Sequence, residues 1–262
     1  MKQDKSILAV DIGNTNASLA VFRNCSADME RWETAARADA PLSEPDSLAR
    51  ALQTLGGGIS GAVIGSVAGE KHSDKTAAMV ESALGMRPLV ADCSMQTGLT
   101  HTYKTPETLG IDRLANAAAL FAICGGACVA VDFGTATTFD CVSDKGVYMG
   151  GAIAPGLGSF RAALSAAPAL PDTGFDFPPS PLAQTTEDCV RSGTMFGYAR
   201  MVDGMAEAMS GEMGAPRARV VATGGFARAV CGECRSVSEV DDLLTLKGLA
   251  IILIENEGLL SV

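Results

Sequence analysis

The chain has 262 residues, 47% hydrophobic and 19% charged, with 20 Lys and Arg against 30 Asp and Glu for a net charge of −10. That apolar content excludes disorder as the main state, and at roughly 150 residues per domain the length corresponds to one or two domains. The acidic balance argues against nucleic acid and anionic membrane, both of which select basic patches, and taken alone it argues against an anionic ligand too.

In chain order, Ser6 to Ile12 predicts a strand, Gly13-Asn14-Thr15-Asn16 a turn, and Ala17 to Phe22 the returning strand, from apolar, β-branched runs flanking Gly and Asn. The apolar stretch before Asp11 is too short for a signal-peptide core. Asp46 to Leu55 has helical spacing, Gly61 to Val67 reads as an apolar strand, Ser73 to Leu84 as a second helix and Pro88 to Ala91 as a short strand. A polar stretch from Asp92 to Thr108 leads to a helix beginning near Asp112. The uncharged run Leu114 to Val131 reaches the lower limit of a membrane span. Asn116 and the Gly125-Gly126 pair make it read instead as a buried helix, a turn and a buried strand.

The second half repeats the theme. Cys128 to Phe133, Thr135 to Val142 and Gly146 to Ile153 predict strands, followed by a helix around Ser159 to Ala166 and a Pro-rich loop from Pro168 to Pro181. Thr186 to Met209 is a long helix, Arg219 to Ala222 a strand ending in Gly224-Gly225, and Leu246 to Glu255 a closing apolar helix. Eight Cys in a chain of this length read as reduced cytosolic thiols rather than a disulfide framework. Cys231-Gly232-Glu233-Cys234 is a single CxxC without a second pair at zinc-finger spacing. It reads as a helix-end or loop pair ahead of a metal or redox site.

Ala9-Val10-Asp11-Ile12-Gly13-Asn14-Thr15 is echoed by Ala130-Val131-Asp132-Phe133-Gly134-Thr135-Ala136, nearly half the chain later. Each is an apolar strand ending in Asp-x-Gly with a small polar residue next, leading into another strand. The pattern predicts a duplicated α/β domain with a ligand between the halves. Such a turn suits a phosphate, because Gly admits close approach and the turn N–H groups donate to phosphate oxygens. The Asp at the strand end can hold a cation that offsets phosphate charge. One Asp-x-Gly alone also fits a plain hairpin; the duplication favours the ligand.

Other nucleotide signatures fail. GxxxxGK[ST] is absent, and Gly56-Gly57-Gly58-Ile59-Ser60-Gly61 matches GxGxxG only formally, following a helix and preceding a strand. His72 and His101 are the only histidines, which leaves a Ser-His-Asp triad or a His-rich zinc site poorly supported. The acid–base candidate is Tyr103 to Arg113, in which Gly110 permits a tight turn ahead of Asp112 and Arg113. Asp112 could accept a proton from a hydroxyl nucleophile and Arg113 could pair with a carboxylate. The same pair also fits a capping Asp beside a solvated Arg.

With these segments in order, the sequence resembles the type III pantothenate kinases, members of the acetate and sugar kinase, Hsp70 and actin superfamily. The resemblance runs through Asp11 to Thr15, Gly110 to Arg113, Asp132 to Thr137 and Gly150 to Leu157. It continues through Thr186 with Gly193, Thr223-Gly224-Gly225, and Leu244 to Leu249. One departure is Gly65-Ser66-Val67, where a Ser-Ser-Val segment belongs, a difference bearing on packing more than chemistry.

The resemblance implies an α/β fold of two RNase H-like, actin-like ATPase domains with the active site in the interdomain cleft, divided near 1–117 and 118–262. It implies a homodimer that phosphorylates the 4′-hydroxyl of pantothenate with ATP, the first step to coenzyme A; the thiols and the acidic charge add a cytoplasmic location with neither nucleic acid nor membrane as partner. Asp11, Ile12, Gly13, Asn14, Thr15, Asn16, Ala17 and Ser18 would form the first phosphate segment, with Asp11 near magnesium, and Thr135 would contact ATP. Asp132 would bind the potassium or ammonium ion. Tyr103, Gly110, Ile111, Asp112, Arg113 and Thr186 would hold pantothenate, with Asp112 as base. The rival readings are a kinase for another small alcohol on the same scaffold and a catalytically idle regulator. The helix Leu114 to Ile123 and the Met-rich helix Met195 to Met213 could supply a dimer interface or ordinary core.

Overall fold

The computed structural model describes residues 5–26, 28–44, 46–165 and 167–256. It divides into two compact units, the first formed by Met1–Ile123 with Leu243–Val262 and the second by Cys124–Asp242.

In the first unit, strands β1 (Lys5–Ile12), β2 (Asn16–Cys25) and β3 (Glu33–Pro41) run antiparallel. The chain then crosses through helix α1 (Ser47–Thr54) to β4 (Gly61–Ser66), and through α2 (Glu70–Leu84) to the two-residue β5 (Leu89–Val90). The sheet order is β3-β2-β1-β4-β5, with β4 parallel to β1 and β5 parallel to β4. The two-residue β6 (Thr100–His101), α3 (Ile111–Cys124) and the closing α7 (Leu244–Glu255) complete the unit.

Strand periodicity places Leu8, Val10 and Ile12 of β1 and Ile64 of β4 on one face, where they pack with Leu48 and Leu52 of α1 and Val80 of α2. The alternate positions of β4 carry Gly61 and Gly65 beneath α7. A Cβ on Gly61 would lie 3.1 Å from Leu253, and one on Gly65 would lie 2.7 Å from Leu249. Gly65, the departure noted in the sequence, is therefore a packing position whose missing side chain makes room for Leu249.

In the second unit, β7 (Cys128–Phe133), β8 (Ala136–Val142) and β9 (Val147–Pro155) are antiparallel. Helices α4 (Leu157–Ser165) and α5 (Thr186–Glu212) follow, then β10 (Arg219–Thr223), α6 (Ala227–Val230) and β11 (Glu239–Val240). Within this unit the strands lie β9-β8-β7-β10-β11, with β10 parallel to β7 and β11 parallel to β10. Three antiparallel strands followed by two parallel ones is the order of the first unit, so the half-chain repeat is a repeat of topology. The core forms between Val129, Val131 and Phe133 of β7 and a helical stripe of α5, Met195, Tyr198, Ala199, Val202 and Ala206.

Several expectations need revision. The edge strand β3 was not predicted: its sequence ETAARADAP is poor in strand formers, and pairing with β2 holds it extended. The closing helix starts at Leu244 and belongs with the first unit, although sequence position puts it with the second half. Residues Leu114 to Leu120 of α3 are buried, and Met195 of α5 is core with Met201, Met205, Met209 and Met213 packed against it. Leu114 to Leu120 and Met195 are thus core, while Ile123 is exposed and the other four methionines are partly buried. Ala166, expected to end the helix after β9, lies outside the described residues. The uncharged run is the end of α3, a turn at Gly125 and β7. Among the described residues, no helix is long and apolar enough to cross a membrane. All eight thiols are free.

Candidate active site

The first unit brings Asp11 to the C-terminal end of β1, opposite Ser18 in the hairpin and beside Gly65 of β4. The turn beyond it closes through Gly13 N–H to the Asn16 carbonyl at 3.0 Å, and the Thr15 carbonyl accepts from Leu42 N–H at 2.9 Å. The N–H groups of Asn14 and Thr15 take no partner among the described residues, and both side chains are exposed. Ser18 faces as Asp11 does, but its hydroxyl donates to Asp39 at 2.7 Å, so its proton is committed to β3.

The second unit places Asp132 on β7 in the equivalent position, paired with Thr138 of β8 and Thr223 of β10. The two turns are not superimposable residue by residue. Ile12 faces Ala17 across the first, whereas Phe133 faces Thr137 across the second, which is one residue tighter and closed by Gly134 N–H to Ala136 O at 3.1 Å. Thr135 at its tip is exposed, and its N–H takes no partner among the described residues.

Two glycines wall this turn. A Cβ on Gly156 would lie 2.6 Å from the Gly134 carbonyl and closer still to that of Thr135. A Cβ on Gly224, which takes φ 92°, would run into the Asp132 carboxylate and lie 2.7 Å from the Phe133 backbone. The sequence offers Gly156 and Gly224 only as members of the runs that carry the family resemblance; the structure gives each a job, holding the backbone close enough to shape the Asp132 turn.

Asp112 and Arg113 occupy the first turn of α3. Asp112 accepts from the Arg113 N–H at 2.8 Å. Gly110 does not take a left-handed φ; a Cβ on it would meet the Asp112 carboxylate, the movable end of that side chain. Burial pushes the Asp112 carboxyl above its ordinary value, against the Arg113 amide and guanidinium, which hold it down. Arg113 is only 7% exposed, which removes the reading of a solvated arginine beside a capping aspartate. One turn further along α3, the fully buried Asn116 accepts from the Thr245 hydroxyl of α7 at 2.8 Å.

Helix α7 braces both parts of this unit through consecutive residues. Gly248 sits directly on the backbone of Ala115 in α3, while Leu249 packs on Gly65, the β4 neighbour of Asp11. Beside α3, a cavity of about 430 Å³ is lined by the segment Cys93 to His101 with Pro106, Glu107 and Leu114. That volume suits a small molecule. The segment is tied down where Asn256, just past α7, donates to Gln96 O at 2.7 Å and accepts from Gln96 N–H at 3.1 Å. Of the proposed substrate residues, Tyr103 is half-buried in the same unit, whereas Thr186 is the exposed first residue of α5, capped by Thr185. No motif in the sequence pointed to the lining segment.

Each glycine turn by itself presents unengaged N–H groups beside a strand-end carboxylate, Asp11 in the first unit and Asp132 in the second, a donor set that fits phosphate oxygens and a cation. Among the described residues, no cluster of three or more His, Cys, Asp or Glu forms a dedicated metal cage.

A family model described as type III pantothenate kinase matches residues 7–208. The type III pantothenate kinase of Moorella thermoacetica is 38% identical over 251 residues, covering 94% of this chain and 98% of its own. That of Myxococcus xanthus is 37% identical, covering 94% and 97%, and that of Koribacter versatilis 36%, covering 96% of each. Among solved structures, a Baf family transcriptional activator from Campylobacter jejuni matches with TM-score 0.60 at 21% identity, covering 96% of this chain and 99% of that one. The activator of 2-hydroxyisocaproyl-CoA dehydratase from Clostridium difficile, solved with ADPNP, matches with TM-score 0.55 at 13% identity, covering 98% of each chain. At these identities the two structures speak for the fold alone.

Proposed function

The chain belongs to the type III pantothenate kinase family, and from that premise we propose how its residues divide the work. The activity is ATP-dependent phosphorylation of pantothenate to 4′-phosphopantothenate in coenzyme A biosynthesis, with a divalent metal. Bound ATP and metal supply the transferred phosphoryl group and offset its charge; phosphoryl transfer is otherwise a matter of positioning and electrostatics.

Asp112 orients the pantothenate 4′-hydroxyl and takes its proton, and Arg113 pairs with the pantothenate carboxylate. The observation that carries this reading is the first turn of α3, where a partly desolvated carboxyl with raised proton affinity sits next to a buried guanidinium. A base whose affinity lies above the ordinary carboxylate range is better matched to a hydroxyl proton at neutral pH. Tyr103, Gly110, Ile111 and Thr186 complete the pantothenate contacts. The N–H groups of Asn14, Thr15 and Thr135 donate to phosphate oxygens, with Ile12, Gly13, Asn16, Ala17 and Ser18 shaping the first turn. Asp11 holds magnesium, and Asp132 holds the monovalent cation, potassium or ammonium. The free state of all eight thiols supports a cytoplasmic location. Met149 and Ile153, exposed on alternate positions of β9 at 45% and 66%, support a homodimer.

The test is a coupled ADP-release assay in potassium buffer with pantothenate and a panel of other small alcohols. Release confined to pantothenate, with 4′-phosphopantothenate as product, is the expected result. Equal release with unrelated alcohols would overturn the substrate assignment.

A further inference from the structure

Outside the kinase machinery, the second unit contains a pair of thiols arranged for chemistry of their own. Cys231-Gly232-Glu233-Cys234 forms one 3₁₀ turn after α6, closed by Cys234 N–H donating to the Cys231 carbonyl at 3.1 Å. A turn of this type keeps its end Cα atoms within about 7 Å, which overlaps the ~4.4–6.8 Å span of disulfides. The closed turn thus holds both cysteines on one short arc of backbone, within the separation that a disulfide spans.

Their surroundings differ. Cys231 lines an open cavity of about 260 Å³ with Arg228, Gly232 and Ser238. Cys234 turns inward, with its thiol 3.7 Å from the Val230 carbonyl and 3.9 Å from that of Ala199. The turn is clamped to α5: Arg200 donates to the Glu233 carbonyl at 2.8 Å, and Asp203 accepts from the N–H groups of Arg235 at 2.7 Å and Ser236 at 2.9 Å. The neighbouring Cys234 thiol lowers the Cys231 pKa, while the nearby Cys231 and burial raise that of Cys234. Both thiols are partly buried, but only Cys231 lines the cavity, which places Cys231 to attack and Cys234 to resolve.

We propose that Cys231 and Cys234 form a thiol–disulfide exchange site that takes a low-molecular-weight disulfide as its oxidant. The Cys231 thiolate attacks one sulfur of the disulfide RSSR, forming a mixed disulfide and expelling one RS⁻. Cys234 then loses its proton to solvent and attacks the Cys231 sulfur, breaking the mixed bond and expelling the second RS⁻. Two protein thiols are oxidised to one intramolecular disulfide, and one RSSR is reduced to two RSH. A cavity of this size admits the end of a small disulfide.

The test is treatment of the full chain with oxidised glutathione at neutral pH, followed by peptide mapping. The wild type is expected to release two glutathiones and to lose two hydrogens across a peptide linking Cys231 to Cys234. Cys234→Ser is expected to accumulate glutathione on Cys231, while Cys231→Ser acquires no adduct at Cys234. The exposed Cys189 serves as an internal reference for uncatalysed modification. Two results would overturn the proposal: modification of Cys189 while Cys231 stays unmodified in Cys234→Ser, or a wild-type Cys231 adduct that never resolves to the crosslink. The wild-type crosslink decides the matter even if a serine variant fails to fold.

Discussion

Gly248 of α7 lies against the backbone of Ala115 in α3 so closely that a Cβ would overlap the Ala115 carbonyl group. Because Ala115 is three residues from Asp112, and Leu249 packs on the β4 neighbour of Asp11, the position of α7 sets the position of α3 relative to β1. Gly248→Ala is expected to cost about 1–3 kcal/mol, the usual cost of overpacking. It should also raise KM for pantothenate more than KM for ATP. Gly65→Ala meets only the flexible end of Leu249 and should cost less. Thermal unfolding and two-substrate kinetics on both variants check the ranking.

The Asp132 turn makes a parallel prediction. Gly224 adopts φ 92° and a Cβ there would run into the Asp132 carboxylate, so Gly224→Ala strains the backbone by about 1–3 kcal/mol and displaces that carboxylate. The variant is expected to need more potassium for half-maximal activation while its KM for pantothenate changes little. A potassium titration against a sodium background measures this, and an unchanged response would remove Asp132 from the cation site.

Arg113→Lys keeps the charge but loses the planar fork that matches a carboxylate. Since Arg113 is buried, the ammonium has no solvent to fall back on. The expectation is a rise in KM for pantothenate of about tenfold or more, from the loss of one charge-assisted hydrogen bond worth ~1.5–3 kcal/mol, with ATP affinity retained. Steady-state kinetics with nucleotide binding measured separately would show the split.

Burial raises the Asp112 pKa above the value it has when unfolded, so the native state holds this proton more tightly. Its ionisation therefore opposes folding. The penalty is absent below the unfolded pKa, grows as pH rises through the folded pKa, and is fully present above it. Asp112→Asn removes the penalty, and the variant should be at least as stable as wild type at neutral pH while converging with it in acid. Thermal melts across that range check the sign; a variant markedly less stable at neutral pH would contradict it.

Much of this was legible in the sequence where burial on both faces forces an uninterrupted apolar run, as in Cys128–Phe133, whose predicted and observed limits coincide. The half-chain echo of Asp-x-Gly correctly anticipated a duplicated topology. The one-residue difference between the two turns was hidden, because register is decided by the returning strand rather than by the motif. Strand β3 escaped because pairing, not composition, extends it. The allegiance of α7 to the first unit was also hidden, since an all-apolar helix does not say which sheet it covers. The closeness of Gly110 to the Asp112 carboxylate was not legible, because it depends on how the first turn of α3 directs that side chain. The cavity-lining segment Cys93 to His101 carries no motif, because its role comes from the loop path that Asn256 fixes.

The most direct test of the assignment is the turnover of Asp112→Asn with ATP and pantothenate in potassium buffer, alongside its ATP affinity. Loss of a general base predicts a kcat lower by about 10² to 10⁴-fold with ATP binding intact. Turnover at the wild-type rate would contradict the account, because the buried first turn of α3 would then be structural rather than catalytic.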